Sequence, residues 1–294
     1  MTSIRLITKL SDAAVRKCVG KQCVPRDATV LVNEPASVYT PDGSLLLRLH
    51  RRVPDELLDQ SLPALRILAS YKSTNRGIYQ SAKRARIRLS DGTLSKNSHT
   101  VAEDGSPLAV ASAIIGYFDR QGGRHPYCRQ TAFLNNELKH WLELQPLIKH
   151  VDGLFSETLF DKWDAQRKFV ESVRPEWVIE GTVFTTLTVN TNAVAGVHVD
   201  KGDYDKGFGV ITCHRLGHYT GGILCFPRYR VGVDLQHGDV LFFNPHEWHG
   251  MTPIIGDEDK YERITCVYYA RAKMNECGSP EEELERARKV RGSL

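Results

Sequence analysis

A histidine is followed two residues on by a carboxylate at three places in this chain: His150-x-Asp152, His198-x-Asp200 and His237-x-Asp239. With 11 histidines and 35 acidic residues among 294, chance alone yields about one such triplet. On a strand, side chains two apart project to the same face, so a triplet there holds an imidazole and a carboxylate side by side. Two imidazoles and one carboxylate, with positions left open, form the ligand set of an oxygen-activating non-haem iron(II) centre.

Context separates the three. His150 ends a helix-like segment with no β-rich run to present it. His237–Asp239 reads as a hairpin connection before a buried strand. His198 follows a β-rich run ending at Asn190–Asn192 and precedes a Gly202-Asp203 turn. It also has a later partner, His249, just after the apolar run Val240–Phe243. His246 competes with His249, but Pro245 and its neighbours make it a loop position, and Gly250 suits a crowded metal site. The candidate ligands are His198, Asp200 and His249.

An iron centre of this kind that uses 2-oxoglutarate needs a cation for the far carboxylate. Arg263 opens the run to Tyr269, and Thr265 faces the same way. A guanidinium grips a carboxylate with two donors and a permanent charge. Asn190, Arg263 and Thr265 are the candidate co-substrate residues.

The elements that must position these groups follow from periodicity. Short β-rich runs crowd the second half: Trp177–Ile179, Val183–Val189, Gly209–Cys213, Ile223–Phe226, Val231–Leu235, Val240–Phe243 and Ile264–Tyr269. Turn residues separate them, as a sandwich or barrel requires. Helical spacing marks Asp55–Leu68, Phe133–His150 and Glu157–Val173, and Ser279, Pro280 and Glu282 announce a capped C-terminal helix, charged on nearly every side. Residues 72–108 read as a long loop or hairpin. The expected class is α+β, with a double-stranded β-helix (jelly-roll) core at 176–272, flanking helices at 133–173 and 279–292, and an extension, residues 1–70, packing on it.

At this point the residues resemble a known family. Gly221–Pro227, Val231–Leu235, Gly238–Phe243 and His246–Gly250 are similar to the core of 2-oxoglutarate/iron(II) oxygenases, and more narrowly to the TET/JBP group. That group oxidises the methyl of thymine or 5-methylcytosine in DNA. Asn75–Gly77, Gly116–Arg120 and Tyr127–Phe133 are similar to pre-core motifs of its minimal members. The resemblance implies iron(II) and 2-oxoglutarate as cofactors, O2 as co-substrate and DNA as partner. It also implies a base-contacting residue three after the ligand Asp, often Asn; here that residue is Asp203, which leans toward thymine. Arg76, Arg120 and Arg129 are further substrate candidates. The same chemistry on a free nucleoside, amino acid or other small molecule is the alternative, and a cupin-like binder without catalysis is another.

Arg84, Arg86 and Arg88 would form one phosphate-contacting side of an extended run, and Arg120, Arg124 and Arg129 interleave with Tyr117, Phe118 and Tyr127. The net charge of +4 permits an acidic partner without requiring one. No stretch is apolar enough to span a bilayer, and the first residues lack a signal-peptide core. Seven cysteines without a C-x-x-C pair suit a reducing compartment. A cytoplasmic or nuclear, non-secreted protein is expected.

Overall fold

Apolar residues occupy both faces of the β-rich runs because both faces of the main sheet are covered. The computed structural model describes residues 2–74, 83–95, 98–102, 104–122 and 125–292. The chain passes through β1 (Thr2–Arg5), α1 (Asp12–Arg16), β2 (Val30–Val32), β3 (Ala36–Tyr39), β4 (Leu45–Arg51) and α2 (Asp55–Leu68). It continues through β5 (Lys83–Ala85), β6 (His99–Val101), β7 (Ser112–Phe118) and β8 (Arg129–Gln130), then α3 (Ala132–Asn136), α4 (Leu138–Thr158) and α5 (Phe160–Val170). Strands β9 (Thr186–Thr191), β10 (Gly209–Gly217), β11 (Thr220–Gly221), β12 (Leu224–Phe226) and β13 (Val231–Val233) follow. Then come β14 (Asp239–Phe243), β15 (Gly250–Met251), β16 (Ile254–Ile255), β17 (Tyr261–Tyr269) and α6 (Pro280–Gly292).

The larger sheet has the order β1-β3-β4-β14-β10-β17-β9-β7-β8 and the smaller β15-β12-β13-β2. In β14, Val240 and Phe242 join Leu58, Leu65, Leu147 and Phe155 on the helix-covered side. Leu241 and Phe243 join Leu49, Ile211, Phe226 and Val231 between the sheets. This period-2 split is what keeps the register of β14 unique, since a one-residue slip would exchange the two cores. Phe242 stacks on Phe155 at 5.5 Å, and burying each ring contributes about 1.5–3 kcal/mol. The α+β sandwich with flanking helices is the expected architecture.

Differences from expectation have local causes. Trp177–Ile179 is not a strand: Pro175 starts a 3-10 turn that ends at Trp177. The Phe133–His150 pattern divides at Glu137, whose non-helical backbone closes α3, and Leu138 and Leu142 are 60% and 59% exposed. Residues 2–51 do more than pack on the core. Leu49 of β4 pairs with Leu241, and β2 runs parallel to β13 in the facing sheet.

The C-terminal helix has its capping box, with Ser279 N donating to Glu282 and Glu282 N to Ser279 Oγ. It is not exposed all round. Glu283 is 1% exposed and accepts from Arg120 and from the backbone N–H of Cys128 and Gly278. Beside it Cys128 and Cys277 form a disulfide, and five cysteines stay free. The expectation of an all-thiol chain is corrected at this pair, which a separation of 149 residues hides from any spacing rule. Among the described residues no helix is long and apolar enough to cross a membrane.

Candidate iron and co-substrate site

His198 lies beyond β9, whose end is set by Asn192. This residue turns into the left-handed region (φ 48°), and its side chain accepts from the backbone N–H of Arg263 at 2.8 Å. The chain then runs back beside the turn before β15, where His198 and His249 exchange both backbone hydrogen bonds, at 2.8 and 2.9 Å. Gly250 permits this approach, because a Cβ there would lie 2.8 Å from Val197 N. The N-terminal segment braces the same backbone. Val197 N donates to Lys21 O and Gly20 N to Val197 O, both at 2.8 Å, and Cys23 N reaches Met251 O.

Each imidazole has a fixed tautomer. Nδ1 of His198 lies 2.8 Å from Gly196 O and Nδ1 of His249 lies 2.8 Å from Glu247 O. A carbonyl only accepts, so both Nδ1 atoms carry the proton and both Nε2 lone pairs are left for a metal. The two Nε2 atoms stand 3.4 Å from the two oxygens of Asp200, and one ligand atom from each residue lies within 4.8 Å of the others. Burial pushes the Asp200 carboxyl up, but the charge and hydrogen bonds of His249 and His198 outweigh it and hold it below the ordinary range. Burial lowers His249, and Asp200 outweighs that in turn, leaving the imidazole above its usual value. The carboxylate thus draws positive charge to this point, as a proton or as a cation.

The carboxylates of the two rival triplets, and His246, are engaged elsewhere. Asp152, next to His150, takes Trp163 Nε1 and the backbone N–H of Val183. Asp239 closes its turn on Gln236 N and pairs with Arg51. His246 Nε2 faces the Tyr204 carbonyl at 3.3 Å.

The three ligands line a cavity of about 370 Å³. Arg263, Thr265, Val267, Tyr269 and Arg271, every second residue of one stretch, line its wall. Thr265 is registered opposite Asn190, which also lines the cavity and accepts from Ser112 Oγ. Arg263 is 3% exposed, and among the described residues no carboxylate pairs with it. Gly222 makes room for it, since a Cβ there would meet Arg263 Nε at 3.4 Å. A buried guanidinium without a counterion fits a ligand that brings its own carboxylate. The residues present therefore suit both iron(II) and 2-oxoglutarate.

Asp203 also lines this cavity. Burial and the charge of Asp200 push its carboxyl up, while Arg271 pulls it back. Arg120 and Arg129 do not line it: Arg120 is engaged with Glu283, and Arg129 lies over the Phe118 ring at 4.4 Å. Arg76 and Arg124 lie outside the described residues. Arg86 and Arg88 are exposed, Arg88 donating to Gly92 O. Missed in the sequence were Arg271, Tyr269 and the bracing segment Gly20–Cys23. The alternation from Arg263 continues through Tyr269 to Arg271 and was the available signal for the first two.

Residues 113–272 match the Tet_JBP family, the oxygenase domain of the 2OGFeDO superfamily. The chain belongs to this family. Thymine dioxygenase JBP1 of Trypanosoma brucei brucei is 35% identical over 183 residues, 61% of this chain and 21% of that protein. The Leishmania major protein of the same name is 34% identical over 188 residues, 63% of this chain and 22% of its own length. The chain thus spans about a fifth of the curated relatives it matches. Among solved structures, NgTET1 in complex with 5mC DNA superposes with a TM-score of 0.59 over 95% of this chain and all of that one, at 14% identity. That likeness shows the fold.

Proposed function

We propose that the chain is an iron(II)- and 2-oxoglutarate-dependent oxygenase that hydroxylates the methyl group of thymine in DNA, with 5-methylcytosine as the alternative base. The observation that carries the oxygenase reading is the buried, uncompensated Arg263 in the same cavity as the His198–Asp200–His249 cluster. Thymine is favoured because the relatives matched at 33–35% identity are thymine dioxygenases. His198, Asp200 and His249 would hold iron(II), and Arg263, Thr265 and Asn190 the co-substrate. When bound, these groups and O2 supply an oxidation that replaces a methyl C–H by C–OH while 2-oxoglutarate leaves as succinate and carbon dioxide.

The protein's own part is positioning. The carbonyls of Gly196 and Glu247 orient the imidazoles, and Arg228 and Tyr229 hold the Glu247 side chain. Leu224, Phe243 and Met251 line the cavity with apolar surface, which strengthens the grip on an anionic co-substrate. A base in a duplex must leave its stack to reach this depth, and exposed Arg86 is available to phosphates.

Incubation with iron(II), 2-oxoglutarate and DNA carrying thymine or 5-methylcytosine, followed by digestion to nucleosides and mass spectrometry, tests this. 5-Hydroxymethyluracil is the expected product. An unchanged nucleoside profile alongside oxidation of a small molecule would refute the DNA assignment.

A further inference from the structure

Among the described residues two arginines line the cavity, and a dicarboxylate co-substrate accounts for one. Arg271 sits at the outer end, near exposed Lys201 and Gly202. Tyr204 N donates to Ala270 O and Ala272 N to Gly202 O, at 2.8 and 2.9 Å. This sets Asp203 and Arg271 directly opposite one another, and opposed residues present their side chains on one face. Arg271 Nε is committed to Asp119 Oδ1 at 2.8 Å, with the Phe118 ring 5.7 Å from its Cζ. Asp119 is itself buried. Gly202 leaves space beside Nη2, since a Cβ there would stand 3.6 Å away. The guanidinium is therefore fixed, already neutralised, and has donors left over.

A guanidinium donates and never accepts. Next to its methyl, thymine carries a carbonyl acceptor, and 5-methylcytosine carries an amino donor in the same place. A donor held against that amino group would leave both unsatisfied in a confined site. Resting on the pyrimidine-methyl reading above, we propose that Arg271 hydrogen-bonds the C4 carbonyl of the target base and so selects thymine over 5-methylcytosine. Asp119 acts as the positioning residue for that guanidinium, and Asp203 stands beside it facing N3.

Single-stranded oligonucleotides carrying one thymine or one 5-methylcytosine, which need no base extrusion, give the test. Rates for the full chain and for Arg271→Gln are compared by product mass spectrometry, with the KM for 2-oxoglutarate measured alongside. The glutamine variant should lower the thymine to 5-methylcytosine ratio of kcat/KM by about tenfold or more, with the co-substrate KM unchanged. Arg271→Lys, which keeps a donor and the charge, should retain part of the preference. Should the glutamine variant fail to fold, Asp119→Asn should shift the ratio the same way by less. Equal losses on both bases, or an unchanged ratio, would overturn the proposal while leaving the function standing. A wild-type protein that oxidises neither base, yet turns over 2-oxoglutarate with another substrate, would overturn the pyrimidine reading and this proposal together.

Discussion

Arg263 and Arg271 occupy the two ends of one cavity wall, eight residues apart on the same face, and their surroundings differ in a single decisive respect. Arg263 is almost fully buried and no described carboxylate pairs with it, whereas Arg271 is clamped by Asp119. A buried cation without a counterion is costly, and the cost is recovered when an anion binds. A buried cation already paired has no charge to satisfy and is left only with hydrogen bonds to give. The inner end thus suits an anionic ligand and, as proposed, the outer end a neutral one with an acceptor. The same residue type serves both because its neighbours differ.

Removing the centre on which both ends converge has the largest effect. Asp200→Ala should abolish iron-dependent succinate formation with every substrate, as read by succinate assay. Turnover that survives would show that the metal is held elsewhere.

The second prediction sets the two ends against each other. Arg263→Met removes an uncompensated charge, so the melting temperature of the ligand-free protein should stay level or rise. Arg271→Met strands Asp119, which is 4% exposed, and should cost about 3–5 kcal/mol in denaturant unfolding. Equal losses at both positions would erase the distinction drawn here.

The inner end was legible in the sequence and the outer end only in part, through Asp203, for a physical reason. His198, Asp200, Arg263 and Thr265 obey the two-residue period of extended chain, and Val240–Phe243 announces the strand before His249. The outer end assembles Asp119, Asp203 and Arg271 from three segments that meet only through backbone pairing. Gly20, Lys21 and Cys23 brace His198 and His249 through main-chain atoms alone, so their side chains carry no trace of that role. Arg120 meets a buried glutamate and Arg129 a ring away from the cavity, and an aromatic-basic pattern is the same whether the arginine meets a phosphate, a buried glutamate or a ring.

The smallest effect probes how tightly the inner end is fitted. A methyl at Gly222 would crowd Ile254 Cγ1 at 3.2 Å, touch Arg263 Nε at 3.4 Å and require a residue other than glycine to adopt a φ of +66°. Gly222→Ala should raise the KM for 2-oxoglutarate several-fold, about 1 kcal/mol of lost binding, with little change in preference between bases. A changed base preference with an unaltered co-substrate KM would mean that the two ends are not separate.

The central claim, that the inner end holds iron(II) and 2-oxoglutarate together, is tested most directly by anaerobic titration of the protein with both while the visible charge-transfer absorption of the chelate is followed. The wild type should develop the band at stoichiometric iron. Arg263→Met should require about 30- to 100-fold more 2-oxoglutarate to reach it, the loss of a charge-assisted pair. A band that forms at the same concentration in both proteins would contradict the account.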